Sequence, residues 1–259
     1  MKFNPMKFFK YQATGNDFII IDNSLKNIKL KKNQIERLCS RKFGIGADGL
    51  ILLENKVGCD YSMIYYNSDG HQSSFCGNGS RCLAHFAHKN KIFEKKAIFF
   101  ANDKHYQVHR DNDIFSVKMQ NISNVIINKD NSIFLDTGSP HLVFFKDSIQ
   151  DLDLGYLGRE IRNSPAYKEK GVNVNFVEVS SQYLFVRTYE RGVENETLSC
   201  GTGVVASAIA AHHKSFINVN NIKIKTNGGV LNVSFNFINN IYQDIYLSGD
   251  ACLVFQGDI

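Results

Sequence analysis

The chain repeats itself at an offset of about half its length. ATGNDFIII around Gly15 returns as DTGSPHLVF around Gly138, and Tyr66 of YYNSDG returns as Tyr189 of TYERGV, both 123 residues later. FCGNGSRCLAHFAH, from Phe75, returns as SCGTGVVASAIAAHH, from Ser199, which sets Cys200 124 residues after Cys76. A looser fourth match pairs GIGADGLILLE from Gly44 with GVNVNFVEV from Gly171. Matches that keep their order at one offset mark a duplicated unit, so the chain must fold as two similar halves. We expect an N-terminal half over residues 1–121, a connector at NISNV, and a C-terminal half over residues 122–249.

Each half alternates apolar and polar residues with the period of strands: YSMIYY, AIFFAND, HYQVHR and IFSVKM in the first, YLFVRTY, IKIKT, VLNVSFNF, IYQDIYLS and ACLVF in the second. Each CGxG segment instead opens onto a run with helical spacing, Leu83, Ala84 and Ala87 in one copy and Val204, Val205, Ala208 and Ile209 in the other. A further helix is expected over Lys32 to Ser40, with Leu38 turned inward. The segment ERGVENETLSC reads as a loop leading to Cys200.

Composition narrows the function classes. With 43% hydrophobic and 21% charged residues, 19 Gly and 3 Pro in 259 residues, the chain can bury a core, which excludes collagen-like and disordered readings. A net charge of +5, dispersed along the sequence, is too small to make nucleic acid the expected partner. Apolar runs such as GLILL are far shorter than the ~18 residues of a membrane span, and MKFNPMKFFK has no apolar core of the signal-peptide kind. Six cysteines, irregularly spaced, suit reduced thiols rather than a disulfide framework, so a cytoplasmic location is expected.

A cysteine followed by Gly-Asn-Gly or Gly-Thr-Gly at a helix start has chemical consequences. The helix dipole and the first free N–H groups stabilise a thiolate, whose thiol ordinarily has a pKa of ~8.5. The same turn can cradle a carboxylate or a phosphate. One such copy is more often an inert cysteine beside a glycine turn. Two copies related by a pseudo-twofold axis would set both helix ends to face one cleft, and inverting a carbon centre by proton transfer needs two acid/base groups on opposite faces. The other uses of paired cysteines find less support: no CxxC occurs, and Cys76 and Cys82, six apart on a helix, point to different faces rather than to one metal. No GxGxxG or phosphate loop follows a strand, so no nucleotide is expected.

KYQATGNDFIIID, RKFGIGADGLI, YYNSDGHQSSFCGNGSRC, GSPH, GVNVNF and YERGVENETLSCGTG together resemble the diaminopimelate epimerase family, nearly end to end. The resemblance implies an α/β fold of the α+β type: two pseudo-symmetric domains, each a curled, mostly antiparallel sheet around a central helix. It implies an active site in the interdomain cleft and a last strand, about residues 250–259, returning to the first domain. It implies catalytic thiols at Cys76 and Cys200. Asn16, Asn67 and Asn173 would bind substrate with Glu190 and Arg191, a set suited to a zwitterion with two ammonium and two carboxylate groups. Gly77, Asn78, Gly201 and Thr202 would hold the reacting carboxylate at the two helix starts. His141 and Ser139 are secondary candidates; Ser139 stands where the family often has Asn, and Gly49 where some members have Gln.

The resemblance therefore implies an enzyme interconverting LL- and meso-diaminopimelate in lysine and peptidoglycan precursor synthesis, without pyridoxal phosphate, metal or other cofactor. Its partners would be the small-molecule substrate and, at most, a second copy in a homodimer. Two other readings stay open: a proline racemase or hydroxyproline epimerase of the same fold, whose substrate has no distal charged end, and a non-enzymatic module with structural or redox-sensing cysteines.

Overall fold

The computed structural model describes residues 5–73 and 75–259. The first four residues of the segment read for a signal peptide, and Ser74 of the CGNG block, lie outside the described residues. The chain divides into two compact units, one running up to Val117 and joined by Gly249–Ile259, the other Lys118–Ser248.

The first unit begins with a hairpin, β1 (Lys7–Ala13) and β2 (Asn16–Asp22). Its two turn residues, Thr14 and Gly15, have φ of 48° and 83°, the left-handed pair that matches the twist of the flanking strands. Helix α1 (Lys32–Cys39) crosses to β3 (Gly49–Glu54), which pairs parallel with β2, and β4 (Tyr61–Asn67) returns antiparallel. Helix α2 (Gly77–Lys89) then leads to β5 (Lys96–Ala101), parallel to β4, and on to the antiparallel β6 (Lys104–Asp111) and β7 (Ile114–Lys118).

The second unit repeats this order. After β8 (Val125–Ile127) come the antiparallel strands β9 (Ile133–Asp136) and β10 (Pro140–Phe145), then helix α3 (Leu154–Arg162) crossing to β11 (Asn173–Val179), parallel to β10. Strand β12 (Leu184–Glu190) returns antiparallel and forms a short ladder with β13 (Asn195–Thr197). Helix α4 (Gly201–His213) leads to β14 (Asn221–Thr226), parallel to β12, and to the antiparallel β15 (Gly229–Ile238) and β16 (Ile241–Gly249). The last strand, β17 (Cys252–Asp258), pairs antiparallel with β1, as β8 does with β9. The expected mixed architecture of two repeated, sheet-dominated domains is found, with parallel pairs only where a helix intervenes.

Alternation places the cores. In β2 and β3, Phe18, Ile20, Ile51 and Leu53 face α2, whereas Ile19, Ile21, Leu50 and Leu52 face α1 with Ile35, Leu38 and Cys39. Helix α4 is apolar on all sides and is buried continuously from Val204 to Ala211, which is what a helix enclosed by a sheet requires.

Four expectations change in detail. Helix α1 stops at Cys39, and Ser40 is its C-cap. Helix α3 was not expected. Its Gly158 meets the Tyr189 ring so closely that a Cβ would fall 2.4 Å from Tyr189 Cβ. The ERGVENETLSC segment is a loop interrupted by the short strand β13, which pairs back onto β12. Finally, the fourth repeat match is out of register: Phe18 pairs with Gly49 and His141 with Asn173, so the structural counterpart of Asn173 is Gly49, not Gly46. Backbone pairing decides this, and the glycine-rich string obscured it.

Candidate active site

Cys76 and Cys200 occupy the same position in the two units, the N-cap of the central helix, with φ/ψ of −126°/116° and −113°/110°. Each carbonyl accepts the first helical hydrogen bond, from Ser80 N at 2.8 Å and from Val204 N at 2.9 Å. Cys76 Sγ accepts from Gly79 N at 3.4 Å, so the sulfur takes the place of the usual N-cap oxygen at the positive end of the helix. Cys200, 6% exposed, has Sγ 3.5 Å from Thr202 Oγ1. The second glycine of each CGxG is dictated by packing: a Cβ on Gly79 would lie 3.0 Å from Ile51 Cδ1, and one on Gly203 2.4 Å from Asn175 Oδ1.

Around Cys76 the first unit builds a polar chain. Asn16, at the start of β2, donates through Nδ2 to Asp48 Oδ2 at 2.7 Å. Its Oδ1 accepts from Asn78 Nδ2 at 3.3 Å and lies 3.8 Å from Cys76 Sγ. Asp48 is held by Arg41, which also grips Asp17 with two hydrogen bonds of 2.9 and 2.7 Å. Lys10, 6% exposed, closes the network on Asp17 at 2.7 Å and on the Gly46 carbonyl. Burial works to raise the Asp17 pKa, but the Arg41 and Lys10 contacts outweigh it and hold the carboxyl well below the usual range. Gly77 and Asn78 are the first residues of α2 and both are buried. Asn67 ends β4, where its backbone N–H donates to the His71 carbonyl at 3.0 Å and its carbonyl accepts from Gly70 N at 2.9 Å, closing a turn.

The second unit builds a different cluster. Asn173 Nδ2 donates to Ser139 Oγ at 2.9 Å and to the Pro140 carbonyl at 3.1 Å, and its Oδ1 accepts from Arg191 N at 2.9 Å. Arg191 reaches back to the Lys170 carbonyl at 2.9 Å and to Ser139 Oγ at 3.3 Å. Its stem runs over Gly171, where a Cβ would lie 2.5 Å from Arg191 Cδ. Ser139 therefore joins Asn173 to Arg191. Glu190 Oε2 accepts from Thr197 Oγ1 at 3.0 Å across the β12–β13 ladder. Thr202 is anchored at its carbonyl by Thr137 Oγ1 at 2.9 Å, next to Gly201 at the start of α4.

His141 is fully buried on β10, 3.1 Å from Asn175 Nδ2 through Nδ1. Its Nε2 lies 3.5 Å from Asn173 Nδ2, so an amide nitrogen faces each ring nitrogen. Burial above all lowers its pKa to about 3; the Asn175 contact comes second and acts in the raising sense, and the nearby Arg191 charge adds a smaller lowering. The imidazole is thus neutral at neutral pH. The sequence reading missed Asp48, Thr137 and Asn175. Thr137 carries a findable signal, because it repeats Thr14 of the ATGND block. Among the described residues, no three His, Cys, Asp or Glu side chains are grouped as a metal site.

Each of the two repeated domains thus carries a thiol at the N-cap of a helix packed against its sheet. In overall fold the chain is similar to a phenazine biosynthesis protein of the PhzF family from Bacillus anthracis (TM-score 0.73, 12% identity, 99% of each chain covered). It is similar also to a hydroxyproline epimerase from Agrobacterium vitis (TM-score 0.67, 12% identity, 100% of this chain and 94% of that one). At these identities the likeness establishes the fold alone. The sequence model of the family described as diaminopimelate epimerase matches residues 8–132 and again residues 133–254. The diaminopimelate epimerase of Flavobacterium psychrophilum is 52% identical over 258 residues, covering 98% of this chain and 100% of that one. That of Chlorobaculum tepidum is 36% identical, covering 95% and 98%. The chain belongs to the diaminopimelate epimerase family.

Proposed function

We propose that this isomerase interconverts LL- and meso-diaminopimelate by moving a proton at one Cα between two thiols, Cys76 and Cys200. The observation that carries the reading is the equivalence of the two cysteines, each at the N-cap of the central helix of its unit. A thiolate at one helix start takes the Cα proton, and the thiol at the other delivers a proton to the opposite face. Negative charge grows on the reacting carboxylate as the proton leaves, and the N–H groups at Gly77, Asn78, Gly201 and Thr202 supply preorganised donors for it. No step needs pyridoxal phosphate or a metal.

At the distal end of the substrate, Arg191 with Asn173 and Ser139 suits a carboxylate, and Glu190 suits an ammonium. The Ser139 contacts that fix Arg191 support this assignment. Asn16 and Asn67 complete the polar lining. The reaction belongs in the cytoplasm with a free amino acid, and no helix among the described residues is long and apolar enough to cross a membrane. Leu253, Val254 and Phe255, 45%, 56% and 47% exposed on β17, support a homodimer as the working assembly.

The test is chromatographic. Purified protein under reducing conditions, given LL-diaminopimelate, should yield the meso isomer and should leave L-proline and trans-4-hydroxy-L-proline unchanged. Turnover of either imino acid in place of diaminopimelate would move the assignment to the racemases of the same fold.

A further inference from the structure

Five aromatic rings stack in a row through the first unit, and the row ends on Phe75, the residue before Cys76. Backbone register sets its centre: Tyr61 on β4 is the Cα partner of Phe99 on β5, which is in turn the partner of Tyr106 on β6. Residues directly opposed on neighbouring strands bring their side chains together on one face. The rings follow, Tyr61 on Phe99 and Phe99 on Tyr106 each at 5.4 Å between centroids, with planes 3° and 20° apart. Phe93, just beyond the C-terminus of α2, closes one end against Tyr61 at 6.4 Å. Phe75 closes the other against Tyr106 at 4.3 Å and 11°, the tightest pair of the row.

The row passes from core to rim. Tyr61, Phe99 and Phe93 are buried in the core around α2, whereas Tyr106 and Phe75 are half-buried. Tyr106 therefore joins packed core to the chain that enters α2. That chain is tied to β4 at Ser73, whose N–H donates to the Tyr65 carbonyl at 2.9 Å. Three residues on, Cys76 sits at the N-cap with its carbonyl accepting from Ser80 N at 2.8 Å and its Sγ from Gly79 N at 3.4 Å. The Phe75 ring anchors the chain between these two points. The second unit meets the same need with backbone: 124 residues on, Phe75 becomes Ser199, and the approach to Cys200 is held by the β12–β13 ladder and by Gly228 N, which donates to the Leu198 carbonyl at 2.8 Å.

We propose that Tyr106 is a positioning residue for Cys76: its ring holds Phe75 against the sheet and so fixes the turn that presents the Cys76 sulfur. The inference rests on the reading of Cys76 as an acid/base group. It makes the two thiols depend on different parts of the fold, Cys76 on a side-chain stack and Cys200 on a strand ladder. The ring does the holding, and the Tyr106 hydroxyl has no part in it.

Two readouts test this, one with substrate and one without. In Tyr106→Ala, kcat for epimerisation of LL-diaminopimelate should fall roughly 10-fold or more with a smaller change in KM, as misplacing a reacting group does. Amide hydrogen exchange at Gly79 and Ser80, whose N–H groups meet Cys76, should become roughly 3- to 10-fold faster on loss of one stacked pair. Exchange at Val204, which donates to the Cys200 carbonyl, should not change. Tyr106→Phe, which keeps the ring, should restore both readouts. Phe93→Leu, at the far end of the row, should lower the urea midpoint and leave kcat as it is. If Tyr106→Ala does not fold, Phe75→Leu carries the same two readouts. Wild-type kcat or unchanged exchange in the folded variant, a Tyr106→Phe as impaired as Tyr106→Ala, or a Phe93→Leu with the same loss of kcat overturns the proposal. The expected exchange pattern in a protein that does not epimerise diaminopimelate would refute the proposed function and leave the anchoring of the Cys76 turn in place.

Discussion

Asn16 is clamped by Asp48: its Nδ2 donates to the carboxylate at 2.7 Å, which fixes the amide so that the carbonyl oxygen is the end beside Cys76. A freely rotating asparagine would offer either end. Asp48→Ala removes the clamp without touching the thiol, and misplacing a group beside a reacting centre can cost about 10²-fold. We expect kcat to fall by roughly 10- to 100-fold with a smaller change in KM. Steady-state kinetics on Asp48→Ala and wild type checks this, and an unchanged kcat would show that Asn16 needs no clamp.

Gly49 is the repeat counterpart of Asn173, yet it has no room for a side chain. An added Cβ would lie 2.5 Å from Tyr65 Cε2 and 2.6 Å from the Tyr66 carbonyl. Gly49→Ala should destabilise the protein by about 1–3 kcal/mol, the usual cost of overpacking. Urea unfolding with an unchanged m-value is the measurement. A neutral substitution would mean that the Tyr65 ring moves aside freely.

The Lys10–Asp17 pair is buried, with side chains 8% and 16% exposed. Removing the carboxylate strands the lysine, and breaking such a pair costs about 3–5 kcal/mol. Asp17→Asn should show that loss at neutral pH. Because the folded pKa of Asp17 is depressed, its contribution is present above the unfolded value of ~3.9 and fades only as pH falls below it. The gap between wild type and Asp17→Asn should therefore persist down to about pH 4; a gap that closes near pH 6 would assign the stability to another group.

His141 behaves in the opposite sense to a histidine with an acidic partner. Its folded pKa is lowered to about 3 while the unfolded chain takes up a proton near ~6.5. Its stabilising contribution is complete above that value and declines as pH falls toward the folded pKa. Relative to His141→Gln, the wild type should lose about 1–2 kcal/mol of stability between pH 7 and pH 5. A difference that does not vary with pH would mean that folding leaves the His141 pKa where it is in the unfolded chain.

Much of this arrangement was legible in the sequence because duplication fixes both order and spacing. The offset that relates Cys76 to Cys200 places both at N-caps, and the unbroken apolar runs FIII and LILL, buried on both faces, are what β2 and β3 need to pack between α1 and α2. Helix α3 was hidden by two glycines, Gly155 and Gly158, each of which costs a helix interior about 1 kcal/mol. Tertiary packing demands one of them, against Tyr189. The repeat itself held the missing signal, since 123 residues beyond Lys32 lies Gly155, inside that helix. Asp48 and Arg81 were not legible. A charged residue in a glycine turn or on a helix is ordinarily solvated, and only the fold shows that one clamps Asn16 and the other is enclosed beside Asn78.

The central claim is that two thiols share one proton transfer at Cα. Proton NMR of LL-diaminopimelate in D2O, with wild type, Cys76→Ser and Cys200→Ser, follows loss of the Cα–H signal and appearance of the meso isomer together. The account predicts exchange and epimerisation by the wild type, loss of epimerisation in both variants, and residual exchange in at most one of them for this epimer. Epimerisation that survives in either variant at the wild-type rate would contradict it.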